Sequence, residues 1–183
     1  PRPDTGLLSG IGLFLRYGNA KEYAFGVSPT DGRYVSFGIE RSDRRLNSDF
    51  NITKFSFDWR EYLEVPILKH HVLAGRLAGA MATGETLVQR SFHLGLGDEL
   101  LLRGYPEGEF SGQKALSLNL EHRFPLLWAN RGVLTLPLFL RNLEGDLFLD
   151  LGNAWDSNQF LQFRDWKVGV GGELGAKFDP GWL

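Results

Sequence analysis

Hydrophobic and polar residues alternate one by one along most of the chain. The clearest example sets three aromatic residues against four polar or charged ones: Phe55, Phe57 and Trp59 against Lys54, Ser56, Asp58 and Arg60. Successive side chains of a β-strand point to opposite faces, so this period of two predicts a strand with one apolar and one polar face. No segment keeps a helical period of 3.6 residues, and the sequence therefore predicts an all-β fold.

The same alternation predicts about eight strands in all. They lie at about 7–17, 22–28, 34–40, 54–60, 69–81, 116–123, 146–152 and 166–178. The alternation at 116–123 ends at Phe124-Pro125, and residues 128–132 have the composition of a turn. Residues 133–141 alternate as well, but Pro137 has no N–H for a strand ladder, so an edge strand, a bulge and a lead-in all remain open there.

Strand length and composition favour a barrel that crosses a membrane. A mean hydropathy of -0.19 does not exclude a membrane, because such barrels alternate apolar lipid-facing residues with polar lumen-facing ones. The 23 glycines and 13% aromatic residues fit a bent sheet better than a helical domain. No apolar run is long enough for a transmembrane helix, and we expect no leader in this sequence, since no charged and then apolar stretch opens it. Because Pro1 is not a natural start, we expect residues 1–183 to be a processed or excised piece that forms one barrel domain.

One long stretch between the predicted strands has a different composition. Residues 97–112 are rich in Gly, Pro and charge, which argues against a strand or a helix. They also carry five large apolar side chains: Leu100, Leu101, Leu102, Tyr105 and Phe110. A long loop with its own apolar content usually folds back on the protein. Because predicted strands flank it on both sides, we expect the loop at about 84–113 to lie inside the barrel.

Composition and motifs exclude several kinds of function. A net charge of -2 gives no basic face, so no nucleic-acid partner is expected. His70 and His71 could bind a metal, but adjacent strand residues point to opposite faces, so a solvated strand end is the better interpretation. His93 and His122 have no evident partners. The chain has no cysteine and no recognisable nucleophile motif, and we expect no catalytic residue, no metal, no cofactor and no enzymatic activity.

Three motifs along the second half of the chain resemble a known family. They are Leu102-Arg103-Gly104-Tyr105, then Glu121-His122-Arg123-Phe124-Pro125-Leu126, then Phe148-Leu149-Asp150-Leu151-Gly152. In this order they resemble the sixth-loop Arg-Gly motif, the strand after it and the Phe-x-Asp-x-Gly strand of the bacterial surface antigen superfamily, the BamA-like outer-membrane barrels. The resemblance covers roughly residues 85–180, and the earlier strands match only in pattern.

The resemblance implies an antiparallel up-and-down transmembrane β-barrel of sixteen strands in the bacterial outer membrane. The strands present here would be the seventh to the fourteenth, without the family's POTRA domains or closing strands. The sixth loop would fold into the lumen. An arginine there needs a carboxylate, so we hypothesise that Arg103 pairs with Asp150, with Glu121 as a second acceptor. The residues expected at this contact are Leu102, Arg103, Gly104 and Tyr105 on the loop and Glu121, Phe148, Asp150 and Gly152 on the lumen wall.

The function implied by the resemblance is protein insertion into the outer membrane or translocation across it. Its partners would be outer-membrane lipid and unfolded outer-membrane or secreted proteins. Two alternatives stay open at this point. The barrel could anchor or export a passenger domain, or the chain could be a soluble β-barrel that binds an apolar ligand with its apolar face inward. The Arg103–Asp150 pair could equally be an ordinary salt bridge that only stabilises the barrel.

Overall fold

The computed structural model describes residues 6–21, 28–85, 92–132, 138–156 and 163–180. Within them the chain forms ten strands and two single turns of 3-10 helix, at Arg44–Leu46 and Phe163–Asp165. The strands are β1 (Gly10–Gly18), β2 (Gly32–Ser42), β3 (Ile52–Glu64), β4 (Val72–Gly84), β5 (Phe92–Gly95), β6 (Leu100–Leu101), β7 (Phe110–Gly112), β8 (Lys114–Gly132), β9 (Leu138–Trp155) and β10 (Lys167–Pro180). No helix in these ranges is long and apolar enough to cross a membrane.

Seven of these strands form one large antiparallel sheet in the order β1-β2-β3-β4-β8-β9-β10. Every strand pairs with its predecessor along the sheet, so the topology is up-and-down. The other three strands form a small sheet of their own in the order β6-β5-β7. In the described part of the chain β1 and β10 do not pair with each other, so the large sheet is open, as in part of a barrel wall. The predicted all-β, up-and-down fold is confirmed.

Strand β8 extends beyond its predicted end. It runs through Pro125 to Gly132, and its pairing with β9 shifts register between Pro125 and Leu127 and again between Trp128 and Arg131. Proline has no N–H to donate, and a bulge is a place in a sheet that tolerates it. The turn predicted at residues 128–132 is therefore wrong. The strand predicted at 22–28 and the alternation at 133–141 fall largely on residues 22–27 and 133–137, which lie outside the described ranges.

The two faces of the large sheet have opposite polarity, and the apolar face is the exposed one. Large apolar side chains 37% exposed or more lie on it in every strand, among them Leu13, Leu15, Phe37, Phe55, Trp59, Leu73, Leu120, Leu147, Leu149 and Val170. On the other face Ser117, Asn119 and Asp150 are at most 3% exposed. This is the reverse of a soluble β-barrel, which rules out the soluble-barrel alternative. It is the arrangement of a wall with lipid outside and a polar lumen inside.

Replacing Leu118 by Arg tests which face of the sheet meets lipid. Leu118 lies on the apolar face, between Leu77 of β4 and Leu151 of β9. An arginine in the middle of a lipid-facing barrel wall costs about 2–4 kcal/mol. We therefore expect Leu118→Arg to lower the free energy of unfolding by about that amount in lipid vesicles, measured from heat-modifiable gel mobility at increasing urea concentration.

Ser36→Arg is the matched control for this substitution. Ser36 lies on the polar face, between Arg16 of β1 and Asp58 of β3. There the new guanidinium stays on the polar side beside a carboxylate, so the unfolding free energy should change by about 1 kcal/mol or less. Equal losses in the two variants would contradict the assignment of the faces.

Candidate functional site

The segment between β4 and β8 folds onto the polar face of the large sheet. It contains the small sheet of β5, β6 and β7, so the expectation that residues 97–112 hold no strand is wrong in detail. The segment and the wall share one hydrophobic cluster, made of Phe92, Leu94, Leu100 and Leu102 from the segment and Ile52, Ala78, Ala82 and Ala115 from the wall. We call residues 92–113 the inner loop. Its leucines fit against the wall because the wall presents alanines at their contact positions.

Arg103 directly follows Leu102 of this cluster and is buried, with only 6% of its surface exposed. Its backbone N–H donates to Asp150 Oδ2 at 2.9 Å, and its Nε donates to the same oxygen at 2.8 Å. Its Nη2 donates to Asp150 Oδ1, also at 2.8 Å. The side-chain fork and the backbone of one residue therefore grip both oxygens of one carboxylate, which fixes the direction of the guanidinium as well as its distance.

Two further carboxylates and an aromatic ring surround the same guanidinium. Glu121 Oε1 lies 2.8 Å from Nη2 of Arg103, and Glu173 Oε1 lies 3.6 Å from Nη1. The ring of Phe148 lies 3.8 Å from the guanidinium carbon, which places the cation over the ring face. Arg123 in turn donates to Glu121, so that glutamate is shared by two arginines. The loop cation is thus enclosed on several sides by groups that favour positive charge.

The wall residues of this site come from three adjacent strands in three rows of cross-strand partners. Reading β8, β9 and β10 in order, the rows are Asn119–Asp150–Gly169, Glu121–Phe148–Gly171 and Arg123–Asp146–Glu173. Partners two residues apart along a strand share a face, so all nine residues belong to the polar side. The site is therefore a product of strand register, and Asp150, which is fully buried, lies in its first row.

Asn119 links the loop backbone to the carboxylate. Its Nδ2 donates to the carbonyl oxygen of Leu101 and to Asp150 Oδ1, each at 2.9 Å. One amide group thus holds the loop and orients the carboxylate that receives Arg103. Asn119 was not among the site residues predicted from the sequence, because its role depends on its position opposite Asp150 on the neighbouring strand.

Glycines allow the loop backbone to approach the wall closely. Gly104 has a φ of 92°, a left-handed conformation that favours glycine directly after Arg103. A Cβ on Gly169 would overlap the carbonyl oxygen of Arg103, so only a glycine on β10 leaves room for this part of the loop. A Cβ on Gly152 would lie 2.9 Å from Cδ2 of Leu94. Gly169 thus leaves room for the loop backbone, and Gly152 leaves room for the side chain of Leu94.

The remaining motif residues of the loop lie on either side of Arg103. Leu102 is fully buried in the shared hydrophobic cluster. Tyr105 packs edge-on against Phe110 with ring centroids 5.1 Å apart, and its hydroxyl donates to the carbonyl oxygen of Val168 at 3.4 Å. The loop is thus tied to the wall through β8, β9 and β10.

The electrostatics of the loop favour a permanently charged arginine. Burial acts to lower the pKa of the Arg103 guanidinium, but the hydrogen bonds to Asp150 and the charges of Glu121 and Glu173 outweigh burial. The pKa is held above its ordinary value. No proton transfer at Arg103 can therefore release the loop under physiological conditions, and release requires the hydrogen bonds themselves to break.

The sequence matches the model of one known protein family. A model described as the Omp85 superfamily domain matches residues 24–177. The chain belongs to the Omp85 superfamily. This confirms the resemblance to the bacterial surface antigen barrels, and the members of the superfamily are outer-membrane proteins. No curated protein matches the chain significantly.

The structure brings together the Omp85 motif residues named from the sequence. Glu121, Phe148 and Asp150 all contact the guanidinium of Arg103. Gly152 lies against Leu94 of the hydrophobic cluster. Three further residues of the site were not predicted from the sequence: Asn119, Gly169 and Glu173. No pattern along one strand reveals them, because their role depends on which residues face each other across strands.

Gly169→Ala tests the close contact between the Omp85 inner loop and β10. The added methyl group would collide with a backbone oxygen that cannot rotate away, so the loop must move off the wall. Overpacking of this kind costs about 1–3 kcal/mol. We expect faster cleavage of the inner loop by an added protease and an unfolding free energy lower by about that amount.

Gly75→Ala is the control for this substitution. A Cβ there meets its nearest neighbour, Leu120 Cδ2, at an ordinary 3.7 Å on the apolar face. It adds the same methyl group to the same sheet without touching the loop. Loop cleavage at the same rate in both variants would argue against the proposed packing at Gly169.

Proposed function

We propose that the chain forms the wall and inner loop of an Omp85 barrel in the bacterial outer membrane, and that this barrel inserts proteins into that membrane or translocates them across it. The Arg103 network would hold the loop in the lumen while the wall contacts lipid. Its partners would be outer-membrane lipid and unfolded outer-membrane or secreted proteins. Membership of a superfamily that generally acts in outer-membrane insertion and translocation supports the proposal.

One observation carries the loop's part in this proposal. A buried arginine on a long loop donates three hydrogen bonds to one carboxylate on the wall. Burying two charges costs several kcal/mol per ion, and only good geometry compensates for that cost. Such a contact holds the loop in one position on the wall, which a non-specific attraction would not do.

A polar hollow adjoins the network. It has a volume of about 260 Å³ and is lined largely by charged side chains, among them Arg103, Glu121, Arg123, Asp146 and Glu173. Charges of both signs keep the hollow hydrated and give no single-sign field. A hydrated interior next to the loop is the environment that an extended, polar polypeptide backbone requires on its path, because its N–H and C=O groups need partners.

Arg103→Ala tests whether the ion pair holds the loop. Removing one partner of a buried pair leaves the other charge uncompensated, which costs about 3–5 kcal/mol. We expect protease to cleave the inner loop of Arg103→Ala in folded protein in vesicles, where the loop of the unmodified protein stays protected. Heat-modifiable mobility measured on the same sample shows whether the wall itself remains folded.

Two matched variants make this test specific. Arg103→Lys keeps the charge but loses the planar fork that grips both oxygens of Asp150, so its cleavage rate should be intermediate. Arg41→Ala removes an exposed pair with Asp43, which is worth about 0–1 kcal/mol, and should leave the loop protected. A loop as well protected in Arg103→Ala as in Arg41→Ala would contradict the assignment.

The insertion activity is tested in lipid vesicles that carry the protein. A urea-unfolded outer-membrane barrel protein is diluted into these vesicles and its folding is followed by heat-modifiable mobility. We expect faster folding than in empty vesicles, and a smaller acceleration with Arg103→Ala. Folding no faster than in empty vesicles would contradict insertion and favour the alternative of a barrel that anchors or exports a passenger domain.

A further inference from the structure

Two histidines far apart in the sequence meet at the turn that joins β3 to β4. Nδ1 of His71 lies 3.0 Å from Nε2 of His122. His71 ends the turn after β3, and His122 lies on β8. The polar network around Arg103 does not involve this pair, because His122 pairs with Leu73 on the apolar face of the sheet. The contact therefore needs its own explanation.

The backbone and a neighbouring ring hold both imidazoles in place. β4 begins at Val72, directly after His71, and pairs in register with β8, which fixes the two Cα atoms relative to each other. The ring of Phe124 stacks on His71 with centroids 5.7 Å apart and packs against His122 at 5.4 Å. The paired strands and the shared aromatic ring thus hold the two ring nitrogens close to each other.

The distance between the two nitrogens suits a single metal ion. Metal–imidazole bonds are about 2.0–2.1 Å long, so two such nitrogens lie about 2.9 Å apart at a right angle and about 3.3 Å apart at a tetrahedral angle. The observed 3.0 Å falls between these values and closer to the right angle. The two nitrogens already lie at the separation that one ion requires, and the proton shared between the rings must leave for both to bind it.

We propose that His71 and His122 form a two-histidine site for a divalent transition-metal ion, of which Cu²⁺ is the best fit. Imidazole nitrogen suits copper, nickel and zinc, copper binds most tightly among the divalent first-row ions, and cis nitrogens at a right angle match its tetragonal geometry. Among the described residues no cluster of three or more His, Asp or Glu could hold a metal. Water or a lipid phosphate therefore fills the remaining positions.

The site is accessible from the outer side of the wall. His122 borders an open hollow of about 630 Å³ on the apolar face, whose other walls include Leu63, Leu73, Leu120 and Leu147. An ion can thus approach from the membrane interface at the turn, without passing through the lumen. Two charged residues, Glu61 and Glu121, also line this hollow.

The test is a titration of metal-free protein in detergent micelles with CuCl₂, followed by electron paramagnetic resonance. We expect one Cu²⁺ per chain with hyperfine splitting from two nitrogens, and a changed splitting when histidine is labelled with ¹⁵N. Losing a residue that only supports a metal ligand weakens metal binding by about 10- to 100-fold. His71→Gln and His122→Gln each remove a ligand, so each should weaken Cu²⁺ binding by at least that much. The ¹⁵N experiment needs no variant, so it shows whether histidine nitrogens bind the ion even if a substitution impairs folding, and the substitutions assign the ligands to His71 and His122.

His93→Gln is the matched control. His93 lies on β5 of the inner loop, away from the turn, and its loss should leave the signal unchanged. Heat-modifiable mobility confirms that each variant is folded. A single-nitrogen signal, an affinity that the His71 and His122 substitutions do not change, or equal loss in His93→Gln would overturn the proposal and leave the pair as a hydrogen bond that fixes the turn.

Discussion

The position of the inner loop on the wall depends on the buried ion pair between Arg103 and Asp150. Arg103 is 6% exposed and lies against a carboxylate that is not exposed at all. Taking both groups out of water costs several kcal/mol each, and a slightly displaced loop would not recover that cost. The bidentate contact, the backbone N–H and the amide of Asn119 all act on the two oxygens of Asp150. The loop therefore has one low-energy position on the wall.

The charged contact and the apolar cluster reinforce each other. A wall that is polar inside and apolar outside cannot build a core on its own, and the leucines of the inner loop supply the missing apolar surface. Leu94 and Leu102 become fully buried there, which removes water from the region beside Asp150. Excluding water strengthens a paired charge and makes an unpaired one more costly.

The sequence was enough to predict which face of a strand each side chain occupies, but not which residues lie opposite each other on neighbouring strands. A period of two assigns Phe55 and Asp58 to opposite sides whatever they pair with, because the pleat alone decides it. Asp150 was predicted as the partner of Arg103 because the family resemblance implied that pair. Asn119 and Gly169 escaped notice because they matter only as cross-strand partners of Asp150. The contact of His71 with His122 is of the same kind, since it depends on the register of β4 against β8. The predicted end of β8 at Pro125 was wrong because a bulge there lets the strand continue.

The place of the network along β8 follows from the same physics. β8 pairs with β4 only over Lys114 to Arg123, whereas it pairs with β9 as far as Gly132. The stretch that carries Asn119, Glu121 and Arg123 is therefore held on both sides, and the stretch beyond Pro125 is bulged and held by β9 on its paired side. A buried ion pair tolerates little movement of its ligands, so it needs the part of the strand whose two neighbours fix it. The inner loop contacts β8 there, where Glu121 pairs with Arg103 and Asn119 donates to the carbonyl oxygen of Leu101.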